Sequence, residues 1–266
     1  MAKKVHGICC ICGQEAELTF EHIPPRAAFN RFSLRLYDFW DYLLHNNARY
    51  KQAQKGAGKY SLCASCNNLT GEWYGAAYAE FAAQGLSYSQ KQAQGVLSVP
   101  YTIYPLRVLK QIVSCFASVN GAIWCEKNPE ISMFLLNPHE KFFPAEIDIR
   151  MYMQEEARSK FDGISGQMNV FTGERFMGSE WSYPPFSYIM VSDKNYSNYR
   201  SLNELFSIRE FLKYNYDDRV TLYMNIPRKP CNPTTLDFRA GIPALETIIK
   251  SNKNENSPNS CESERK

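Results

Sequence analysis

The sequence predicts an α+β protein in two parts: an N-terminal module organised by zinc, residues 1–91, and a separate α+β domain, residues 92–250. Three observations predict this. Cys9-x-x-Cys12 and Cys63-x-x-Cys66 each set two thiolates on one tight turn, and two such turns make a closed tetrahedral zinc site. The cysteine and glycine signals then stop near residue 92. Beyond it, helical periodicity from Pro105 gives way to strand-like segments with one helix among them.

At 266 residues the chain can bury a sizeable core, and 44% hydrophobic with 14% aromatic content suits a globular protein. Apolar runs such as residues 131–136 fall far short of the ~20 residues of a membrane-spanning helix. The opening residues lack the apolar stretch of an export signal. The expected location is therefore the cytoplasm, with no membrane partner. Thiols stay reduced there, so nine cysteines point to metal ligation or burial rather than disulfides. Cys10 could replace Cys9 only at poorer spacing, and Cys115, Cys125, Cys231 and Cys261 read as ordinary residues. Residues 1–60 hold nine Lys or Arg against five acids, a net of +4 within a chain of +3, which leaves −1 elsewhere. A basic N-terminal part is compatible with a phosphate-backbone partner. Ordinary solvated charge accounts for it equally well.

In chain order, Gly13 after the first knuckle permits the positive φ such a turn needs. Glu21-His22 then stands directly before Ile23-Pro24-Pro25. Past the prolines, Phe29, Phe32, Leu36, Phe39 or Trp40, and Leu43 fall at helical spacing. They predict an amphipathic helix over about 26–46, with Arg26, Arg31 and Arg35 mostly off its apolar stripe. Residues 55–62 read as a glycine-rich turn and a short strand entering the second knuckle. After Cys66, residues Leu69, Trp73, Ala77 and Phe81 predict a helix. Gly71 and Gly75 within it each cost ~1 kcal/mol relative to alanine, which suggests that something packs close there.

In the second part, Pro105 opens a helix with Leu106, Leu109, Val113 and Phe116 in register, and Asn128-Pro129 opens a shorter one ending at Asn137-Pro138. Residues 146–153, a hairpin turning at Thr172-Gly173, residues 186–191 and residues 219–227 read as strands, with a helix over 201–214. His139-Glu140 mimics the Glu-His pair but follows a helix stop with no ligand types nearby, so it reads as surface loop. There is no glycine-rich phosphate loop and no nucleophile elbow. Residues 251–266 are polar and read as a disordered tail.

Taken in order, Cys-x-x-Cys-Gly, Glu-His-Ile-Pro and Cys-x-x-Cys-Asn resemble the zinc-stabilised HNH endonucleases, over residues 8–82. The resemblance implies a ββα-metal fold, with Cys9, Cys12, Cys63 and Cys66 on a structural Zn2+. It also implies Glu21 and Asn67 on a catalytic Mg2+ or Mn2+, with His22 as general base. The residue types suit that chemistry. A neutral imidazole can deprotonate water near neutral pH, and a divalent ion can stabilise the leaving oxygen. Asn68 competes with Asn67, the better placed of the two. Family members usually carry an Asn a few residues before the second knuckle. Here Lys59-Tyr60-Ser61-Leu62 occupies that stretch, leaving Asn46 or Asn47 to substitute if the fold brings them back. The expected function is endonuclease, most naturally on DNA, with the second part serving substrate choice, regulation or assembly, through a homo-oligomer or a protein partner. Small HNH proteins with an unfamiliar second domain look like restriction or phage-defence effectors. The alternative is a non-catalytic zinc module that binds nucleic acid or protein, in which Glu21-His22 serves structure. A third reading gives the main activity to the second domain, which offers no recognisable site.

Overall fold

The computed structural model describes residues 4–38, 44–45, 49–53, 56–89, 98–155, 158–168, 173–193, 198–230 and 237–240. The fold is α+β. β1 (Val5–Ile8) and β2 (Glu15–His22) form an antiparallel hairpin whose turn is the first knuckle. Gly13 there has φ +70°, the conformation its lack of a Cβ permits. The chain then departs as β3 (Leu34–Asp38), returns as β4 (Tyr50–Ala53), and re-enters the first sheet as β5 (Gly58–Cys63), antiparallel to β2. Ser61 is the extra residue of a bulge in β5, between the partners of Thr19 and Phe20. β5 runs directly into a knuckle helix, Ala64–Thr70, which passes through one π-helical stretch, Gly71–Gly75, into the helix Ala76–Ser89.

After β6 (Val99–Ile103) comes a central helix, Pro105–Asn120, buried along nearly its whole length, then Ala122–Lys127 and Pro129–Leu136. The helices from Pro105 and Pro129 start at the proline that fits a first helical position. β7 (Ile147–Gln154), β8 (Ser159–Met168), β9 (Arg175–Tyr183) and β10 (Phe186–Ser192) follow. The remaining strands are β11 (Phe206–Ser207), β12 (Val220–Met224), β13 (Arg228–Lys229) and β14 (Asp237–Ala240). Nine strands form one large sheet in the order β11-β7-β10-β9-β8-β14-β3-β4, with β13 beside β7, while β12 pairs with β6.

Three expectations are corrected. Residues 34–38 are a strand and not part of a helix, because β3 is held between β14 and β4; backbone pairing on two sides overrides a helix-like apolar spacing. Residues 39–43 and 46 of that expected helix lie outside the described residues. The helix expected over 201–214 divides into a short turn at Arg200–Asn203, β11, and a 3-10 turn at Arg209–Lys213. Arg209 draws the chain inward by donating to the carbonyls of Pro144, Ile147 and Phe143. Gly71 and Gly75 are not close-approach positions: a Cβ at Gly71 meets nothing within 4 Å, and one at Gly75 meets only Gln111 at 3.9 Å. Gly85 is such a position, since a Cβ there would lie 2.1 Å from the Phe186 ring. That ring stacks on Phe81 at 4.6 Å.

A single buried cluster runs from Cys9 through Ile23, Leu34, Phe81, Phe116 and Trp181 to Ile226, so buried packing continues on both sides of residue 92. The central helix meets the first sheet through Ser118 Oγ, 2.9 Å from Ser61 Oγ, and the Val119 carbonyl, 3.3 Å from Lys59 Nζ. It meets the large sheet through Phe116 and Trp181. No helix among the described residues is long and apolar enough to cross a membrane.

Candidate functional site

The two knuckles meet. The sulfurs of Cys9, Cys12, Cys63 and Cys66 all lie within 4.8 Å of one another, those of Cys12 and Cys63 3.9 Å apart. Zinc–sulfur bonds of about 2.3 Å in a tetrahedron imply sulfurs about 3.8 Å apart, so the cluster fits a metal ion such as zinc. Each knuckle is built locally. In the first, Gly13 N donates to Cys9 O at 3.0 Å and Cys9 N to Gln14 O at 2.9 Å. In the second, Cys63 caps the knuckle helix, its sulfur accepting from Cys66 N at 3.5 Å. The Cys9 thiol is lowered from its ordinary range, chiefly by the Cys66 thiol donating to it. Cys10 stands apart from the cluster; burial, then the nearby Cys9, pushes its thiol up to about 11. Cys115 and Cys125 are buried thiols, while Cys231 and Cys261 lie outside the described residues.

Beside this cluster, the C-terminal end of β2 carries the Glu-His pair. Successive strand residues face opposite sides, and the contacts follow that rule. Phe20 and His22 share one face, their rings edge to face at 5.1 Å, with Tyr60 of β5 against Phe20 at 5.4 Å. Thr19 and Glu21 share the other. Asn67, on the knuckle helix, donates from Nδ2 to Thr19 Oγ1 at 2.8 Å, and that hydroxyl donates to Leu62 O at 2.9 Å. The fold thus sets Asn67 on the face of Glu21, two residues along the strand, while the half-buried His22 looks to the opposite side. Asn68 is exposed.

Glu21 is 6% exposed and pairs along β2 with Lys59 of β5, while no side-chain hydrogen bond joins its carboxyl to another described residue. Burial pushes its carboxyl up to about 8. It faces the central helix, near Cys115, whose thiol burial raises further and Glu21 raises in turn. An uncompensated buried carboxylate is what a cation relieves. With the Asn67 nitrogen engaged by Thr19, its carbonyl oxygen remains to join a hard-cation donor set. Among the described residues, the four cysteines are the sole cluster of His, Cys, Asp or Glu with metal-ligand spacing, and Glu21 belongs to no such cluster.

One site residue is absent from the sequence reading. Asn30, fully buried, donates from Nδ2 to Pro24 O and to Ala57 O and accepts from Ala57 N through Oδ1, all at 2.7 Å. It ties the loop after His22 to the entry of β5, whose Gly58 lies opposite His22. Asn46 and Asn47, the expected substitutes, lie outside the described residues. No local signal marks Asn30; it precedes the second knuckle by a whole inserted hairpin. His139 is exposed, its ring 5.4 Å from that of Tyr216, as befits a surface loop.

No family model matches the chain, and no curated protein or solved structure matches it either.

Proposed function

We propose that the chain is a metal-dependent endonuclease of the HNH type that hydrolyses phosphodiester bonds in DNA. In this reading the four cysteines hold a structural Zn2+, and Glu21 with Asn67 would hold Mg2+ or Mn2+. What supports it is that Asn67, next to Cys66 of the four-cysteine cluster, packs on the Glu21 face of β2, with His22 adjoining Glu21 in the chain on the opposite face. His22 takes the proton of a water as its oxygen bonds to phosphorus. The phosphorus–oxygen bond to the leaving sugar then breaks. A divalent ion supplies charge stabilisation for that leaving oxygen. Asn30 holds the loop that follows His22 and so positions the imidazole.

One observation favours the non-catalytic zinc module instead: Glu21 turns toward the central helix rather than an open cleft. A plasmid-cleavage assay separates the two. The protein should nick or cut with Mg2+ or Mn2+ and stop in EDTA. His22→Ala should keep its fold, zinc and DNA affinity yet cleave about 10²-fold more slowly. An unchanged rate in His22→Ala ends the mechanism. Binding without cleavage across metals and substrates hands the function to the zinc-module reading.

A further inference from the structure

The strands flanking His22 are continued by the hairpin of β3 and β4, which is rooted where Asn30 ties Pro24 to Ala57. Three successive residues of β4, Tyr50, Lys51 and Gln52, are exposed, Tyr50 by 50%. Because alternate strand residues point to opposite sides, β4 is open on both faces. Among the described residues it is also the terminal strand of its sheet. Arg35 lies opposite Gln52 and Tyr37 opposite Tyr50, whereas Leu36 lies opposite Lys51, so Arg35 and Tyr50 occupy one face and Lys51 the other. The hairpin's acids are Asp38, the last residue of β3, and Asp41 in the connection; β4 itself has none, and the charged residues of 23–71 are otherwise all cations, among them Arg26, Arg35, Arg49, Lys51 and Lys59. Of these, Arg26, Arg35, Arg49 and Lys51 are exposed.

We propose that this edge hairpin is the chain's docking surface for duplex DNA, with the double helix against β4 and its phosphates held by Arg35 on one face and Lys51 on the other. The inference deepens the nuclease reading and rests on it for the substrate. Charge complementarity argues for the partner: the exposed edge strand carries no acid and offers a polyanion a cation on each face. The cation–π contact argues for a duplex over a single strand. The Arg35 guanidinium lies 4.8 Å from the Tyr50 ring centroid, so a cation already covers the ring face on which an unpaired base would stack. Position argues for delivery to the site. The hairpin leaves the loop after His22 and returns into β5, whose Gly58 lies opposite His22, so both of its ends join the strands that carry the site. An edge lysine also serves to block pairing between chains, a role that leaves DNA binding indifferent to its replacement.

The test is fluorescence anisotropy of a labelled DNA duplex across a salt series, without added divalent ion. Arg35→Gln with Lys51→Gln should weaken binding about tenfold or more and make the log–log salt dependence shallower by about 2, since each phosphate contact contributes about 0.9. Arg35→Lys with Lys51→Arg should bind nearly as the wild type does. Equal affinity and slope in the charge-removed protein overturns the proposal. So does tighter binding of single-stranded DNA or of an RNA duplex. Cleavage is not read here, so a chain that binds duplex DNA through this hairpin but never cuts it retires the nuclease reading and keeps this one.

Discussion

Asn30 and Glu21 are the residues on which the site's geometry depends most. Asn30 satisfies three backbone groups from a fully buried position. Asn30→Ala leaves them without partners, and each buried orphan costs about 1–3 kcal/mol. Chemical denaturation should show a loss of at least about 2 kcal/mol after relaxation, and cleavage should fall along with it. Asn30→Asp should do no better, because a carboxylate cannot donate to two carbonyls. Glu21 gives a pH signature. Burial raises its carboxyl from the ordinary 4.5 to about 8, so the folded state binds a proton that the unfolded state has released. Without divalent ion, stability should therefore fall as pH rises through that interval, because the folded state holds more protons there. Thermal melts of Glu21→Gln should lose most of that slope and be more stable than wild type near the upper end. A wild-type melting temperature that is flat with pH contradicts the buried, unpartnered carboxylate.

At the scale of elements, the two knuckles and the strand–helix junction at Cys63 form one unit. A small three-stranded sheet and one helix offer little core of their own, and a structural metal supplies folding free energy directly. We expect about one tightly bound zinc per chain by elemental analysis. Cys63→Ser should lose the metal yet keep the knuckle helix cap, since a serine hydroxyl can accept from Cys66 N as the sulfur does. The expected result is loss of zinc with marked aggregation, while Cys10→Ser should retain the metal, because Cys10 is outside the cluster. A metal-replete, soluble Cys63→Ser protein refutes the site.

At the scale of the whole molecule, the central helix joins what the sequence divides. It touches the first sheet through Ser118 and Val119 and the large sheet through Phe116, and the buried cluster is continuous across residue 92. β3 and β4, from the N-terminal part, finish the sheet begun by β7–β10. Calorimetry of the zinc-loaded chain should accordingly give one cooperative transition, and a fragment of residues 1–91 should give no cooperative melt. Two separated transitions contradict that coupling.

The sequence by itself determined the features written in neighbouring residues. Cys-x-x-Cys-Gly makes a knuckle because the turn and its positive φ need nothing distant; the starts at Pro105 and Pro129 follow from the φ and missing N–H of proline; and the α+β class follows from the change of apolar period along the chain. What brings residues together from far apart only the tertiary structure decided. The apolar spacing of Leu34 and Leu36 serves a strand as readily as a helix, and pairing with β14 and β4 made it a strand. Asn30 became the clamp because Ala57 folds back onto it, a contact no local pattern specifies. Glu21 is legible as a candidate ligand, but its burial against the central helix is not, since the residues that bury it begin some ninety positions later. Turns and caps are short-range physics, legible residue by residue; strand register and burial are settled by partners that the local sequence does not name.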